Sequence, residues 1–251
     1  MSEPDGPGLP GGDRRAELVQ GLGRVRARIA DACAAVGRPA ADVTLVVVTK
    51  TYAAADVAAL ADLGVRDVAE AREQELRDKR ARLDPVPERG AGSGEALLRW
   101  HVVGRLQRNK ARSVGRLADV VHSVDDPRLV EPLARGAEDV GRRLGCFAQV
   151  SLDGDADRGG TPEADLPALC DLLAGHDALR LLGVMAVAPL GSDPDEAFAH
   201  LWRLSQAVVA RHPGAGAVSA GMSGDLEQAV AHGATHLRVG AAVLGARPPT
   251  H

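Results

Sequence analysis

The strongest constraint on how this chain can fold is an alternation that runs from Val43 to Val239. Eight short apolar runs read as strands: Val43–Thr49, Arg66–Ala69, Trp100–Val103, Asp119–His122, Phe147–Leu152, Leu179–Val184, Ala217–Ala220 and His236–Val239. Between them lie stretches with helical spacing, near 53–63, 71–83, 107–116, 127–142, 163–174, 194–211 and 225–232. Strands that each give way to a helix predict parallel pairing through right-handed crossovers. Eight such strands predict an α/β fold, a single (β/α)8 TIM-type barrel. Pattern alone leaves a doubly wound open sheet as the alternative. Ahead of the first strand, Leu18, Leu22, Val25, Ile29, Cys33 and Val36 recur at helical spacing, and Gly37 is placed to end that helix.

The length of 251 residues suits one barrel, expected over 13–247, with a Gly- and Pro-rich disordered tail over 1–12 and a short tail over 248–251. Aromatic residues are only 2% of the chain, so the core must be built from Ala, Val and Leu, which suits helix–sheet layers. One long irregular piece is expected, the polar loop Pro85–Gly94. Trp100 and Trp202 read as packing residues, and Asp125-Asp126 falls at a helix start, where negative charge offsets the dipole.

Charge and hydropathy exclude several functions. A net charge of −4 and a pI near 6.1 argue against nucleic-acid binding. No apolar stretch approaches the roughly 20 residues of a membrane span, and no signal-peptide pattern opens the chain. Cys33, Cys146 and Cys170 are scattered and odd in number, so they read as free thiols in a reducing compartment, the cytoplasm. His232 and His236 are four apart, but Gly233 interrupts the helix that would align them, so no metal site is expected.

Lysine is scarce: of 30 basic side chains only Lys50, Lys79 and Lys110 are lysines. Lys79 and Lys110 sit in polar sequence, whereas Lys50 ends the apolar run Val43–Thr49. Arginine does not lose its proton and cannot act as an amine nucleophile. A lysine whose pKa falls on burial can attack an aldehyde and form a Schiff base. Alternation places Val46, Val48 and Lys50 on one face, directed at the barrel mouth. The first reading is therefore a covalently held carbonyl compound, with pyridoxal phosphate leading. The other is a strand-end lysine whose ammonium reaches solvent along its own stem.

Barrels often bind phosphate at the loops after strands seven and eight. Strand seven leads into Gly221-Met222-Ser223-Gly224-Asp225. Ser223 is placed to cap the next helix, and its amide and that of Gly224 are placed to face an anion. Strand eight ends in Gly240-Ala241-Ala242, which permits close backbone approach. The segment Gly221-Met222-Ser223-Gly224 lacks the glycine spacing of a hydrolase nucleophile elbow. Arg238, in an apolar strand, needs buried partners. It can donate to a pyridine nitrogen and keep it unprotonated, or bridge strand ends through a carboxylate.

Three segments carry a resemblance: Val46-Val47-Val48-Thr49-Lys50-Thr51; His101-Val102-Val103-Gly104-Arg105-Leu106-Gln107-Arg108-Asn109-Lys110; and Ser219-Ala220-Gly221-Met222-Ser223-Gly224-Asp225, continuing through Gly233-Ala234-Thr235 to Arg238-Val239-Gly240-Ala241. With Gly183-Val184-Met185-Ala186-Val187-Ala188-Pro189 between them, the chain resembles the pyridoxal phosphate homeostasis proteins, which are built like the barrel domain of alanine racemase. The resemblance runs from residue 14 to Arg247. It implies a fold type III barrel with pyridoxal phosphate on Lys50, phosphate contacts from Ser223, Gly224, Gly240 and Ala241, and a pyridine-nitrogen contact from Arg238. It also implies a carrier or buffer that keeps free aldehyde low, with PLP-dependent apoenzymes as recipients and no established catalytic turnover. The chain departs from the family at Val68-Ala69-Glu70-Ala71, where Phe-Gly-Glu-Asn is usual. Arg158-Gly159-Gly160 stands for Lys-x-Gly, and Ala241 takes the place of a hydroxyl residue.

A racemase is the first alternative. Alanine racemase needs a second base, a tyrosine set by a partner's C-terminal β-domain. No such domain is expected after strand eight here, and the single tyrosine is Tyr52. Efficient two-base catalysis is therefore not expected, nor is the racemase dimer, which leaves a monomer. A Schiff-base aldolase is the further alternative, disfavoured because no clear acid–base pair accompanies the lysine. The stripe Arg105, Arg108, Arg112 and Arg116, with Lys110 nearby, reads as a solvated helix face ahead of a docking site for an acidic partner.

Overall fold

The computed structural model describes residues 11–83, 98–155 and 158–245. The expected loop Pro85–Gly94 and most of both expected tails lie outside the described residues. Gly12, assigned to the tail on sequence, instead begins a helix.

Eight parallel strands close into a barrel in sequence order, which overturns the open-sheet alternative. They are β1 (Thr44–Val48), β2 (Asp67–Glu70), β3 (Arg99–Val102), β4 (Val120–Val124), β5 (Leu144–Gln149), β6 (Leu179–Met185), β7 (Ala217–Ser219) and β8 (His236–Val239). Closure is made by β1 against β8, with Thr44 opposite His236 and Val46 opposite Arg238. Helix α1 (Gly12–Ala35) precedes the barrel. The outer ring is α2 (Ala54–Asp62), α3 (Glu73–Leu83), α4 (Arg108–Leu117), α5 (Val130–Glu138), α6 (Leu166–Ala174), α7 (Pro194–Arg211) and α8 (Leu226–Ala231), followed by the short α9 (Ala241–Leu244). The largest boundary shift is in β5, expected to begin at Phe147. It begins at Leu144 because Leu144, Gly145 and Cys146 already pair with β6, and Gly145 interrupts the apolar run that sequence reading follows.

Two layers of side chains result. The outward residues of the strands, such as Val47, Val68, Trp100, Val121 and Val184, join the helices in one large apolar core. The inward residues form only a small apolar cluster of Val46, Val48 and Ala69 beside Val103. Apart from Phe147, the rest of the barrel axis is chiefly polar among the described residues. His122 on β4 contacts His236 on β8 with ring centroids 6.2 Å apart, and those strands are not neighbours, so the contact crosses the interior. Phe147 stacks on His122 at 4.6 Å.

The two tryptophans differ. Trp100 is fully buried, but Trp202 is 46% exposed. Its helix α7 turns Trp202 outward over Gly233, where a side chain would meet the indole Cδ1 at 3.2 Å. Helix α1 lies close against α9, since a β-carbon on Gly21 would overlap the carbonyl of Val243. That contact fixes the end of the chain that follows β8. No described helix is long and apolar enough to cross a membrane.

Candidate functional site

β1 delivers Lys50. Val46 and Val48 point inward, and Lys50, two residues further, continues that face into a cavity at the carboxyl ends of the strands. The backbone around Lys50 is held from both sides. Thr49 donates its N–H to Ala69 O at 2.9 Å and its hydroxyl to Glu70 Oε1 at 2.5 Å. Thr51 is the one non-glycine among the described residues with a left-handed φ, 71°. A β-branched residue there is strained, and its N–H is secured by donation to Glu75 Oε2 at 2.9 Å.

Lys79 does not sit in polar surroundings, as its sequence neighbours suggested. It is buried, and its Nζ donates to Thr49 O and Glu70 Oε1, both at 2.7 Å. Helix α3 is polar overall, and only the narrow stripe of Glu73, Leu76 and Lys79 is drawn inward. Burial pushes the Glu70 carboxyl up to about 7, against the pull of Lys79.

The cavity has a volume of about 420 Å³, within the roughly 300–1,000 Å³ of small-molecule pockets. Lys50, Ser223, Gly224, Arg238, Gly240 and Ala241 all line it, so the structure brings together every site residue expected from sequence. Of the apolar walls, sequence reading placed only Val48 toward the mouth and missed Val103, Met185, Val187 and Met222, with Tyr52. Their position after strand ends was the available signal. The Tyr52 hydroxyl donates to Gly245 O at 2.7 Å.

Ser223 is not the helix cap it was expected to be. α8 starts at Leu226, Asp225 stands at its N-cap position, and Asp225 Oδ1 accepts the Met222 N–H at 2.6 Å. Asp225 makes no side-chain cap bond either, because its carboxylate is turned back onto the loop. The Ser223 hydroxyl instead accepts the Ala242 N–H at 3.4 Å, linking the loops after β7 and β8. Gly221, at φ 85°, makes that loop possible, since a β-carbon would lie 2.6 Å from Ala229 Cβ. Among the described residues, the N–H groups of Ser223, Gly224, Gly240 and Ala241 donate to no protein acceptor. They are therefore available to an anion.

Arg238 is buried and, among the described residues, bridges no carboxylate, contrary to the second expectation for it. Its Nη1 donates to Ser219 Oγ at 2.6 Å and its Nη2 to Ala186 O at 2.9 Å. Burial pulls its pKa down to about 10, with Asp225 opposing. A cation without a carboxylate partner, open amides and an amine on one cavity fit a ligand that carries a phosphate, a ring acceptor and an aldehyde.

Other candidates resolve plainly. Arg112 and Arg116 share the single carboxylate of Asp139, at 2.9 and 2.7 Å, so half of the arginine stripe is engaged within the chain. His232 pairs with Asp195 at 2.9 Å, and no described group of His, Cys, Asp or Glu could hold a metal. Asp126 accepts the Arg128 N–H at 2.8 Å at the expected helix start.

Residues 22–248 match the alanine racemase N-terminal domain family. A Mycobacterium tuberculosis "Pyridoxal phosphate homeostasis protein" is 45% identical over 245 residues, covering 94% of this chain and 95% of its own. A Bifidobacterium adolescentis protein of unknown function has a similar structure, with a TM-score of 0.84 at 30% identity over 94% of this chain and 97% of its own. PipY of Synechococcus elongatus, solved with PLP bound, has a TM-score of 0.72 at 34% identity over 86% of this chain and 100% of its own.

Proposed function

Because the chain belongs to the pyridoxal phosphate homeostasis proteins of the alanine racemase N-terminal domain family, we propose that it binds pyridoxal phosphate reversibly on Lys50 and acts as an intracellular carrier or buffer. The observation that carries this reading is one cavity holding Lys50, the buried Arg238 and the open amides of both phosphate-site loops. When bound, pyridoxal phosphate supplies an aldehyde whose C=O is replaced by a C=N bond to Lys50 as water leaves, a change that hydrolysis reverses.

The chain's own residues set the rest. Ser223, Gly224, Gly240 and Ala241 offer backbone N–H groups to the phosphate. Arg238, always charged, donates to the ring nitrogen and keeps it unprotonated, which weakens the ring as an electron sink. That choice suits holding more than turnover. Tyr52, the chain's only tyrosine, commits its hydroxyl proton to Gly245, which supports binding without a second base. PLP-dependent apoenzymes are the recipients in this reading, the protein acts as a monomer, and three free buried cysteines favour the reducing cytoplasm.

The test is borohydride reduction of protein mixed with pyridoxal phosphate, followed by peptide mapping. An adduct on Lys50 and loss of the visible band in Lys50→Ala are expected. An adduct on Lys79 or Lys110 alone refutes the assignment. Racemisation of any amino acid at roughly 1 s⁻¹ or more would return the racemase alternative.

A further inference from the structure

A single line of hydrogen bonds runs along the barrel axis from the cavity to the opposite mouth. Arg238 Nη1 donates to Ser219 Oγ at 2.6 Å, and Ser219 Oγ lies 2.7 Å from His122 Nδ1. His122 Nε2 lies 2.8 Å from His101 Nδ1, and His101 Nε2 lies 3.0 Å from Asp67 Oδ1. Asp67 Oδ2 accepts from Arg99 Nη2 at 2.7 Å. Asp67 and Arg99 open β2 and β3, at the amino ends of the strands, whereas the cavity lies beyond the carboxyl ends. Ser219, His122 and His101 are at most 1% exposed.

The donors all point one way. A guanidinium cannot accept, so Ser219 Oγ accepts from Arg238. The Asp67 carboxylate cannot donate, so His101 Nε2 donates to it. With singly protonated rings, His122 Nε2 then donates to His101 Nδ1, and Ser219 turns its own hydrogen to His122 Nδ1. Burial, the largest cause, holds His122 well below the usual imidazole range, so its ring is neutral. Its one proton then sits on Nε2 and goes to His101 Nδ1. The proton of His101 is thereby placed on Nε2, facing Asp67. Burial pushes the Asp67 carboxyl up, but the bonds from His101 and Arg99 outweigh it and leave it below the usual carboxylate range.

We infer that Asp67, acting through His101, His122 and Ser219, is a positioning residue for pyridoxal phosphate, because it anchors Arg238 from the far end of the barrel without placing a negative charge in the cavity. The inference rests on the assignment of that cavity to this cofactor. A carboxylate set directly against Arg238 would hold the guanidinium equally well, but it would occupy the N–H groups the ring needs and repel the phosphate. The neutral relay uses one N–H of Nη1 and leaves the anion at a distance.

The experiment compares unaltered protein with Asp67→Asn, Ser219→Ala and the double variant, each titrated with pyridoxal phosphate by absorbance. Asparagine keeps the shape of the carboxylate and loses its charge. Affinity is expected to fall about tenfold in Asp67→Asn, with a displaced visible band, since a charge-assisted bond is lost upstream of Arg238. The double variant is expected to bind no more weakly than Ser219→Ala alone, because both changes cut the same line. A purely structural Asp67 would lower the melting temperature while leaving affinity and band unmoved, or would add its loss to that of Ser219→Ala; either result overturns the inference. Should Asp67→Asn not fold, nitrogen-15 histidine resonances of the unaltered protein decide. Both His101 and His122 are expected to carry the proton on Nε2 and to shift on addition of pyridoxal phosphate; a proton on Nδ1 of either, or no shift, refutes it. Failure of the unaltered protein to bind would instead break the cofactor assignment beneath.

Discussion

Lys79 Nζ lies 2.7 Å from Glu70 Oε1, and the two side chains are only 9% and 0% exposed. This enclosed pair supports the strand end that presents Lys50, because Lys79 also bonds the Thr49 carbonyl.

The pair makes stability depend on pH in a defined direction. The Glu70 carboxyl is pushed from 4.5 up to about 7 by burial. The folded protein therefore binds that proton more tightly than the unfolded chain. The contribution is fully present below about pH 4.5 and is lost as pH rises through about 7. The melting-temperature advantage of the unaltered protein over Glu70→Gln should shrink between about pH 5 and pH 7.5, and a constant difference would contradict the linkage. Lys79→Met removes the cation that holds the Glu70 carboxyl down, so the carboxyl should stay protonated at neutral pH in the variant. The variant's stability should then fall as pH rises above about 7, read by denaturant unfolding at about pH 7 and about pH 9.

Gly221→Ala tests the loop after β7. Its β-carbon would lie 2.6 Å from Ala229 Cβ and 2.8 Å from Leu237 Cδ2, at a φ of 85°. Overpacking alone should cost roughly 1–3 kcal/mol. Because the same shift moves Ser223 and Gly224, affinity for pyridoxal phosphate should fall with stability. Unchanged affinity in a titration would remove this loop from the site.

Arg238→Met separates binding from folding. The variant loses two hydrogen bonds but also a buried charge with no described carboxylate partner, so ligand-free stability should change by only about 1 kcal/mol. The rise in melting temperature that pyridoxal phosphate gives the unaltered protein should largely vanish. A full rise in the variant would exclude Arg238 from the site.

The thiols should be silent. Burial pushes Cys146 up to about 12, and burial with Asp171 pushes Cys170 up to about 11. Thiolate is the reactive form, so neither should react with a disulfide reagent at about pH 8 until the protein unfolds. Rapid labelling of either cysteine in the native protein would show that its burial is transient.

Much of this architecture was legible in the sequence. Eight apolar runs gave the strands to within a few residues, and the scarcity of lysine at a strand end singled out Lys50. The polar axis was not legible, because Asp67, His101 and His122 each sit beside valines or a tryptophan, and their inward direction depends on closure of the barrel. Lys79 was missed for a related reason: its helix is polar on most of its surface, and its partner Glu70 comes from the preceding strand. The capping error at Ser223 came from the helix start, which lies at Leu226, beyond the reach that the loop residues alone suggest.

The two shells of this molecule should tolerate change very differently. The seam between strands and helices is chiefly Ala, Val and Leu, where exchanges that keep volume cost little. Along the axis the line from Arg238 through Ser219, His122 and His101 to Asp67 uses both ends of each group it passes through, so even an isosteric swap leaves a broken link. Sequence drift in this chain is thereby steered outward, and an interior that looks chemically adventurous is the part least open to experiment by evolution.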